Sequence, residues 1–252
     1  MRIGIIGLGY VGLPLALAFG EGGHAVIGYD TDSRRVERLA AGESDVEDVP
    51  SARLARLGDA FEPTNDPAAL ARCDALLICV PTPLANQRAP DLSYISAAAR
   101  TLAGVLREGQ VVVLESTTYP GTTRDHLQPL LEESGLRAGA DFHLAYSPER
   151  IDPGRSDHTI ATTPKVIGGI TDACTERASE IYELICDEVV PVSSPEPPFG
   201  STATYTVRGG AWGWAVGGAE KKASKSRTSN ASDSASITLP MTSRMSSVLR
   251  CP

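Results

Sequence analysis

Three glycines, Gly7, Gly9 and Gly12, follow a short apolar run, Arg2-Ile3-Gly4-Ile5-Ile6, and open an alanine- and leucine-rich segment, Leu13-Pro14-Leu15-Ala16-Leu17-Ala18. Gly-x-Gly-x-x-Gly between a strand and a helix is a phosphate-binding turn. Gly7 permits the tight turn, Gly9 lets the backbone approach a pyrophosphate, and Gly12 lets the helix pack closely on the strand. The phosphates then sit on unsatisfied N–H groups at the positive end of the helix dipole.

Glycines at this spacing also arise by chance, so the pattern needs an acidic partner. The next apolar run, Ala25-Val26-Ile27-Gly28-Tyr29, ends in Asp30, eighteen residues after Gly12. A second parallel strand would deliver that carboxylate to the adenosine ribose of a dinucleotide. Accepting from both ribose hydroxyls, it makes charge-assisted hydrogen bonds of roughly 1.5 to 3 kcal/mol each, and it repels a 2′-phosphate. NAD is therefore favoured over NADP. Arg34 and Arg35 are of the type that holds a 2′-phosphate, but at the opening of a helix they read as solvated charges.

These residues need a parallel sheet to position them, and the rest of the chain supplies its pattern. Strand-like runs recur at residues 2–6, 25–29, around Phe61, and at 75–80, 111–115, 142–146, 165–167 and 189–192. Helical patterns alternate with them at 33–41, at 67–72 with Asp66 as N-cap before Pro67, and at 93–106, 122–133 and 172–185. The expected fold is α/β, a doubly wound, Rossmann-like, mostly parallel sheet with ligands at the carboxyl ends of the strands.

Composition excludes several classes. The 252 residues are 42% hydrophobic with a formal charge of -8, enough apolar content for a core and no basic footprint for nucleic acid. The five cysteines, Cys73, Cys79, Cys174, Cys186 and Cys251, show no metal-ligand spacing, and their odd number argues against a disulfide framework, so no metal is expected. No run is long enough to span a membrane. The glycines and Pro14 interrupt the N-terminal apolar stretch, which is therefore not a signal peptide, and the expected location is cytoplasmic.

Three loops after strands carry polar groups: Val80-Pro81-Thr82-Pro83, Glu115-Ser116-Thr117-Thr118-Tyr119-Pro120-Gly121-Thr122-Thr123 and Tyr146-Ser147-Pro148-Glu149-Arg150-Ile151-Asp152-Pro153-Gly154. Singly each reads as a turn; at successive strand ends they line a cleft. With the glycine motif, and in this order, they resemble the N-terminal domain of the UDP-glucose/GDP-mannose dehydrogenase family. Pro83-Leu84, Pro90-Asp91-Leu92-Ser93 and Ser147-Pro148-Glu149-Arg150 most resemble its UDP-N-acetylglucosamine and UDP-N-acetylmannosamine 6-dehydrogenase branch.

The resemblance, which runs from Met1 to about Pro195, implies NAD-dependent oxidation of a UDP-sugar C6 alcohol to the uronate for surface polysaccharide. It implies that Gly7, Gly9, Tyr10, Val11 and Gly12 hold the pyrophosphate, Asp30 and Arg35 the adenosine side, and Thr82 and Thr117 the nicotinamide side. Glu149 would be the catalytic acid/base, and Arg150 would face substrate. A carboxylate beside a partly desolvated ring fits that role, since a raised pKa lets it accept and return a proton; the bland alternative is an ion pair with Arg150.

The pattern stops near residue 195. The family's catalytic lysine and asparagine, its nucleophilic cysteine, its dimer-forming helix and its UDP-sugar domain have no counterpart in residues 196–252, which are rich in Ser, Thr, Ala and Lys without periodicity and are expected to be disordered. Cys251, and Lys221, Lys222 and Lys225, lie outside any setting that would make them substitutes. The expected organisation is an NAD-binding domain at 1–195 and a tail at 196–252, as a truncation or shifted reading frame would produce, with impaired turnover. The rival readings are a catalytically silent NAD-binding module that needs a partner chain, and a dehydrogenase of the 6-phosphogluconate or 3-hydroxyacyl-CoA type. The Thr-Thr-Tyr-Pro-Gly and Ser-Pro-Glu-Arg motifs argue against the latter.

Overall fold

The computed structural model describes residues 1–83, 91–148 and 159–195, and the backbone of four further strands within 204–238. The first eight strands are β1 (Arg2–Ile6), β2 (Ala25–Tyr29), β3 (Phe61–Thr64), β4 (Ala75–Ile78), β5 (Val111–Glu115), β6 (His143–Ser147), β7 (Lys165–Gly169) and β8 (Val189–Val192). They form one sheet in the order β3-β2-β1-β4-β5-β6-β7-β8. Every pairing is parallel except β6 with β7, which is antiparallel. The helices are α1 (Gly12–Glu21), α2 (Ser33–Ala40), α3 (Ser51–Ala55), α4 (Ser93–Ala103), α5 (Gln128–Glu132) and α6 (Asp172–Tyr182). This is the expected Rossmann-like fold. Chain order reverses between β1 and β4, so a crevice opens beyond their carboxyl ends, where open α/β sheets bind ligands.

Strand residues alternate between two cores, as a sheet covered on both faces requires. Val111 and Val113 of β5 join Ile3, Ile5, Leu13, Phe19, Ile167 and Tyr182 on one face. Val112 and Leu114 join Ile6, Ile27, Leu76, Ile95, Leu102 and Leu144 on the other. Phe19 of α1 meets Tyr182 of α6, their ring centroids 6.5 Å apart.

Three local features depart from the sequence reading. The stretch expected as one helix at 122–133 is a wider π-type turn over Thr122–Leu127 followed by α5. Pro129 has no N–H to return to the preceding turn, which accounts for the change of winding. The helical pattern at 67–72 is a 3₁₀ segment, with the expected Asp66 cap accepting from the Ala68 N–H at 3.0 Å. Helix α3 was not anticipated: Leu54 is its one buried residue, too little for a periodic signal.

The chain divides into two compact units, Met1–Glu196 and Pro197–Pro252. In the second, β9 (Thr204–Arg208), β10 (Ala211–Val216), β11 (Ala219–Lys222) and β12 (Ser234–Thr238) pair antiparallel in the order β11-β10-β9-β12. No regular structure was expected here. In these four segments the backbone pairs, as the β-branched and aromatic content of Thr204-Tyr205-Thr206-Val207 allows, and the rest of the tail lies outside the described residues. Among the described residues no helix is long and apolar enough to cross a membrane.

Candidate functional site: a dinucleotide crevice

The glycine turn lies at the switch point, tied to both neighbouring strands. The Gly7 N–H donates to the Tyr29 carbonyl at 2.8 Å, and the Cys79 N–H to the Ile6 carbonyl at 2.8 Å. Gly7 has φ of 93°, and a Cβ there would lie 2.9 Å from the Cys79 carbonyl oxygen. At Gly12 a Cβ would fall 1.8 Å from the Gly7 carbonyl oxygen, so the close packing of helix on turn demands glycine. At Gly9 the constraint is of another kind. Its missing Cβ would meet only the Arg35 Nη1, at 3.7 Å, which leaves open space over the backbone where a ligand would approach.

Two side chains from the next βα unit hold this turn through one residue. Asp30 Oδ2 accepts from the Leu8 N–H at 2.9 Å, and its Oδ1 accepts from the Asp32 N–H at 3.0 Å. Arg35 Nη1 donates to the Leu8 carbonyl at 2.9 Å, while its Nη2 lies 3.7 Å from Asp45 Oδ2. Both polar groups of Leu8 are thus clamped, and each Asp30 oxygen keeps a further lone pair for a hydroxyl. Asp30 and Arg35 were singled out in the sequence for the adenosine side; that they also brace the turn was not legible there.

Helix α1 begins without a cap: Val11 at its N-cap makes no side-chain hydrogen bond, and no acidic residue lies in the first turn. Among the described residues the N–H groups of Gly9, Tyr10 and Val11 have no acceptor. Free donors at a helix N-terminus, below an open glycine, suit a diphosphate. The residues present therefore fit the pyrophosphate and ribose of a dinucleotide.

Beyond β4 and β5 the Thr82 hydroxyl meets the loop that carries Ser116 and Thr117. Thr82 Oγ1 donates to the Thr117 carbonyl at 2.7 Å and lies 3.2 Å from Ser116 Oγ, which donates to the Val80 carbonyl at 3.2 Å. The loops after two adjacent strands are thus pinned to each other. At the end of β6, Ser147 is fully buried and its hydroxyl has no hydrogen-bond partner among the described residues, an arrangement that calls for an explanation in a native interior. Glu149 and Arg150 lie outside the described residues.

One group near the crevice went unnoticed in the sequence. Glu115, the last residue of β5, is fully buried, is ion-paired with Lys165 of β7, and accepts a hydrogen bond from the Tyr182 hydroxyl of α6. Lys165 Nζ also lies 5.1 Å from the Tyr182 ring centroid. Burial, and then the Glu115 charge, push the Tyr182 phenol well above its usual pKa, so it is a neutral donor. The available signal was a carboxylate ending the apolar run Val111–Leu114 and a lysine opening another, Lys165–Gly169. Among the described residues no group of three metal-ligating side chains occurs.

Over residues 1–186 the sequence matches the NAD binding domain of the UDP-glucose/GDP-mannose dehydrogenase family. It is 37% identical over 186 residues to the UDP-N-acetyl-D-glucosamine 6-dehydrogenase of Pseudomonas aeruginosa, covering 73% of this chain and 44% of that protein. A solved UDP-N-acetyl-D-mannosamine dehydrogenase from Pyrococcus horikoshii superposes with a TM-score of 0.73 at 35% identity, over 77% of this chain and 47% of that one. A ternary complex of GDP-mannose dehydrogenase from Pseudomonas aeruginosa gives 0.72 at 32% identity, over 78% and 47%. The chain thus spans somewhat under half the length of these relatives.

Proposed function

The chain belongs to the UDP-glucose/GDP-mannose dehydrogenase family, and from that premise we propose that it is the cofactor-holding part of a UDP-N-acetylhexosamine 6-dehydrogenase. The observation that carries the reading is the clamped glycine turn: Leu8 held by Asp30 and Arg35, beneath the unpaired donors that open α1.

NAD, when bound, supplies the hydride acceptor. The chain's own residues bind and orient it. The Gly9, Tyr10 and Val11 N–H groups would take the diphosphate and the Asp30 carboxylate the adenosine ribose hydroxyls, while the pinned pair of loops at Thr82 and Thr117 borders the nicotinamide end. Glu149 would be the acid/base that takes a proton from the water attacking the oxidised carbon in the hydrolytic step and returns it, and Arg150 would face the sugar nucleotide. Both follow from the motif resemblance. The reaction as a whole is the four-electron oxidation of a C6 alcohol to a carboxylate, with two NAD+ taking one hydride each in turn and water supplying the second oxygen, in the cytoplasm, for surface polysaccharide.

We further propose that these 252 residues by themselves bind NAD without turnover, because nothing in residues 196–252 matches the cysteine-bearing and sugar-nucleotide segments of the resemblance. Proximity and orientation supply roughly 7 to 11 kcal/mol of a barrier, and that contribution requires a held substrate. The test is NADH absorbance when the chain, shown to bind NAD+, meets UDP-N-acetylglucosamine and then UDP-N-acetylmannosamine. No NADH is expected; sustained NADH formation would overturn the claim.

A further inference from the structure

The buried Glu115 has no part in binding as described so far, yet it sits one residue from the pinned hydroxyls. Ser116 and Thr117 follow it directly, and Thr82 holds the Thr117 carbonyl. Its ion-pair partner comes from a different place. Lys165 opens β7, which lies two strands farther along the sheet from β5 and farther still from β4. The pair is therefore a dipole whose negative end belongs to the strand bordering the nicotinamide side and whose positive end is drawn in from β7, two strands away.

This dipole is shielded from bulk solvent. Glu115 is fully buried, Lys165 is buried, and Tyr182 closes the cluster from α6. The buried thiol of Cys186 also lies within the electrostatic reach of both charges, its pKa pushed up to about 11 by burial while Lys165 draws it down. In such a setting charges interact several times more strongly than they do in water. The nicotinamide ring carries one positive charge in the oxidised cofactor and none once it has accepted a hydride.

We propose that the buried Glu115 carboxylate sets the preference of this site for the oxidised over the reduced nicotinamide cofactor, by holding a fixed negative charge beneath the Ser116–Thr117 loop. The inference rests on the reading above that the nicotinamide end lies at Thr82 and Thr117. It concerns a difference between two ligands of almost identical shape, which a merely structural role for Glu115 would not create.

The experiment measures the affinities of NAD+, NADH and ADP-ribose for the full chain by calorimetry, in the native protein and in Glu115→Gln, Lys165→Met and Tyr182→Phe. Glu115→Gln keeps the shape and an acceptor for Tyr182 but makes the cluster one unit more positive. It should weaken NAD+ relative to NADH by about fivefold, the scale of one unit charge acting across a partly shielded interior, with ADP-ribose unchanged. Lys165→Met changes the charge the other way and should raise the NAD+ to NADH ratio, which keeps the proposal testable if Glu115→Gln does not fold. Tyr182→Phe, which alters no charge, should leave the ratio in place. A ratio unmoved in the charge variants, with all three ligands weakened alike, overturns the role of Glu115 and leaves the placement of the cofactor standing. Equal affinity of the native chain for NAD+ and ADP-ribose overturns the placement at Thr82 and Thr117, and this proposal with it.

Discussion

Gly9 and Gly12 belong to one motif but answer to different constraints, and a single methyl separates them. Alanine at Gly12 would drive its Cβ into the Gly7 carbonyl, a clash with backbone that side-chain motion cannot relieve. We expect Gly12→Ala to cost about 3 kcal/mol or more, in the range of severe packing and strain mutations, seen as a large fall in thermal midpoint. Gly9→Ala meets only the tip of Arg35 and should melt within a few degrees of the native chain, yet bind NAD+ at least about tenfold more weakly, because the methyl occupies the space a diphosphate needs. Equal melting of the two variants would contradict this division. The sequence showed both glycines and Asp30 by spacing alone. It could not show that Asp30 and Arg35 meet on the backbone of Leu8, because that contact depends on how α2 seats against the turn rather than on any local pattern.

At the scale of elements, the sheet was legible because parallel strands buried on both faces are continuous apolar runs, and all eight expected runs became strands. Boundaries were less so. The run expected to extend to residue 80 leaves the sheet after Ile78, ahead of the Pro81 and Pro83 loop, and the helix expected to reach 106 ends at Ala103 ahead of Gly104. The charged cluster at the end of β5 was hidden for another reason. Its members are fifty and sixty-seven residues from Glu115, on β7 and α6, and only the sheet order brings them together.

Burial of two thiols makes a prediction about these same elements. Burial pushes the Cys73 pKa up to about 12 and that of Cys186 to about 11, from 9.0. A raised folded-state pKa means that the unfolded chain loses its proton first. The stability these thiols contribute is complete below pH 9 and is lost as pH rises toward 11 and 12. Each should add a slope of roughly 1 kcal/mol per pH unit in that window. Thermal melts from pH 8 to 11 should show a decline that Cys73→Ala makes shallower; an identical slope in the variant would contradict it.

At the scale of the whole molecule, the matched region covers 1–186 and the chain spans under half of the relatives it resembles, so cofactor binding and turnover are separable claims. The fold and the cofactor class were legible because a dinucleotide turn is local in sequence. The substrate side is not local. By the resemblance it falls partly on the Glu149–Arg150 segment, which lies outside the described residues, and partly on segments without a counterpart in residues 196–252, so residue roles there rest on motif resemblance.

The measurement that bears most directly on the account is a calorimetric titration of the native chain and of Asp30→Ala with NAD+ and with NADP+. The clamped turn and the Asp30 carboxylate predict saturable binding of NAD+, NADP+ weaker by at least about tenfold through repulsion of its 2′-phosphate, and loss of NAD+ binding by about tenfold or more in the variant. Indifference to the 2′-phosphate, or a native chain that stays folded and takes up no NAD+, would contradict it.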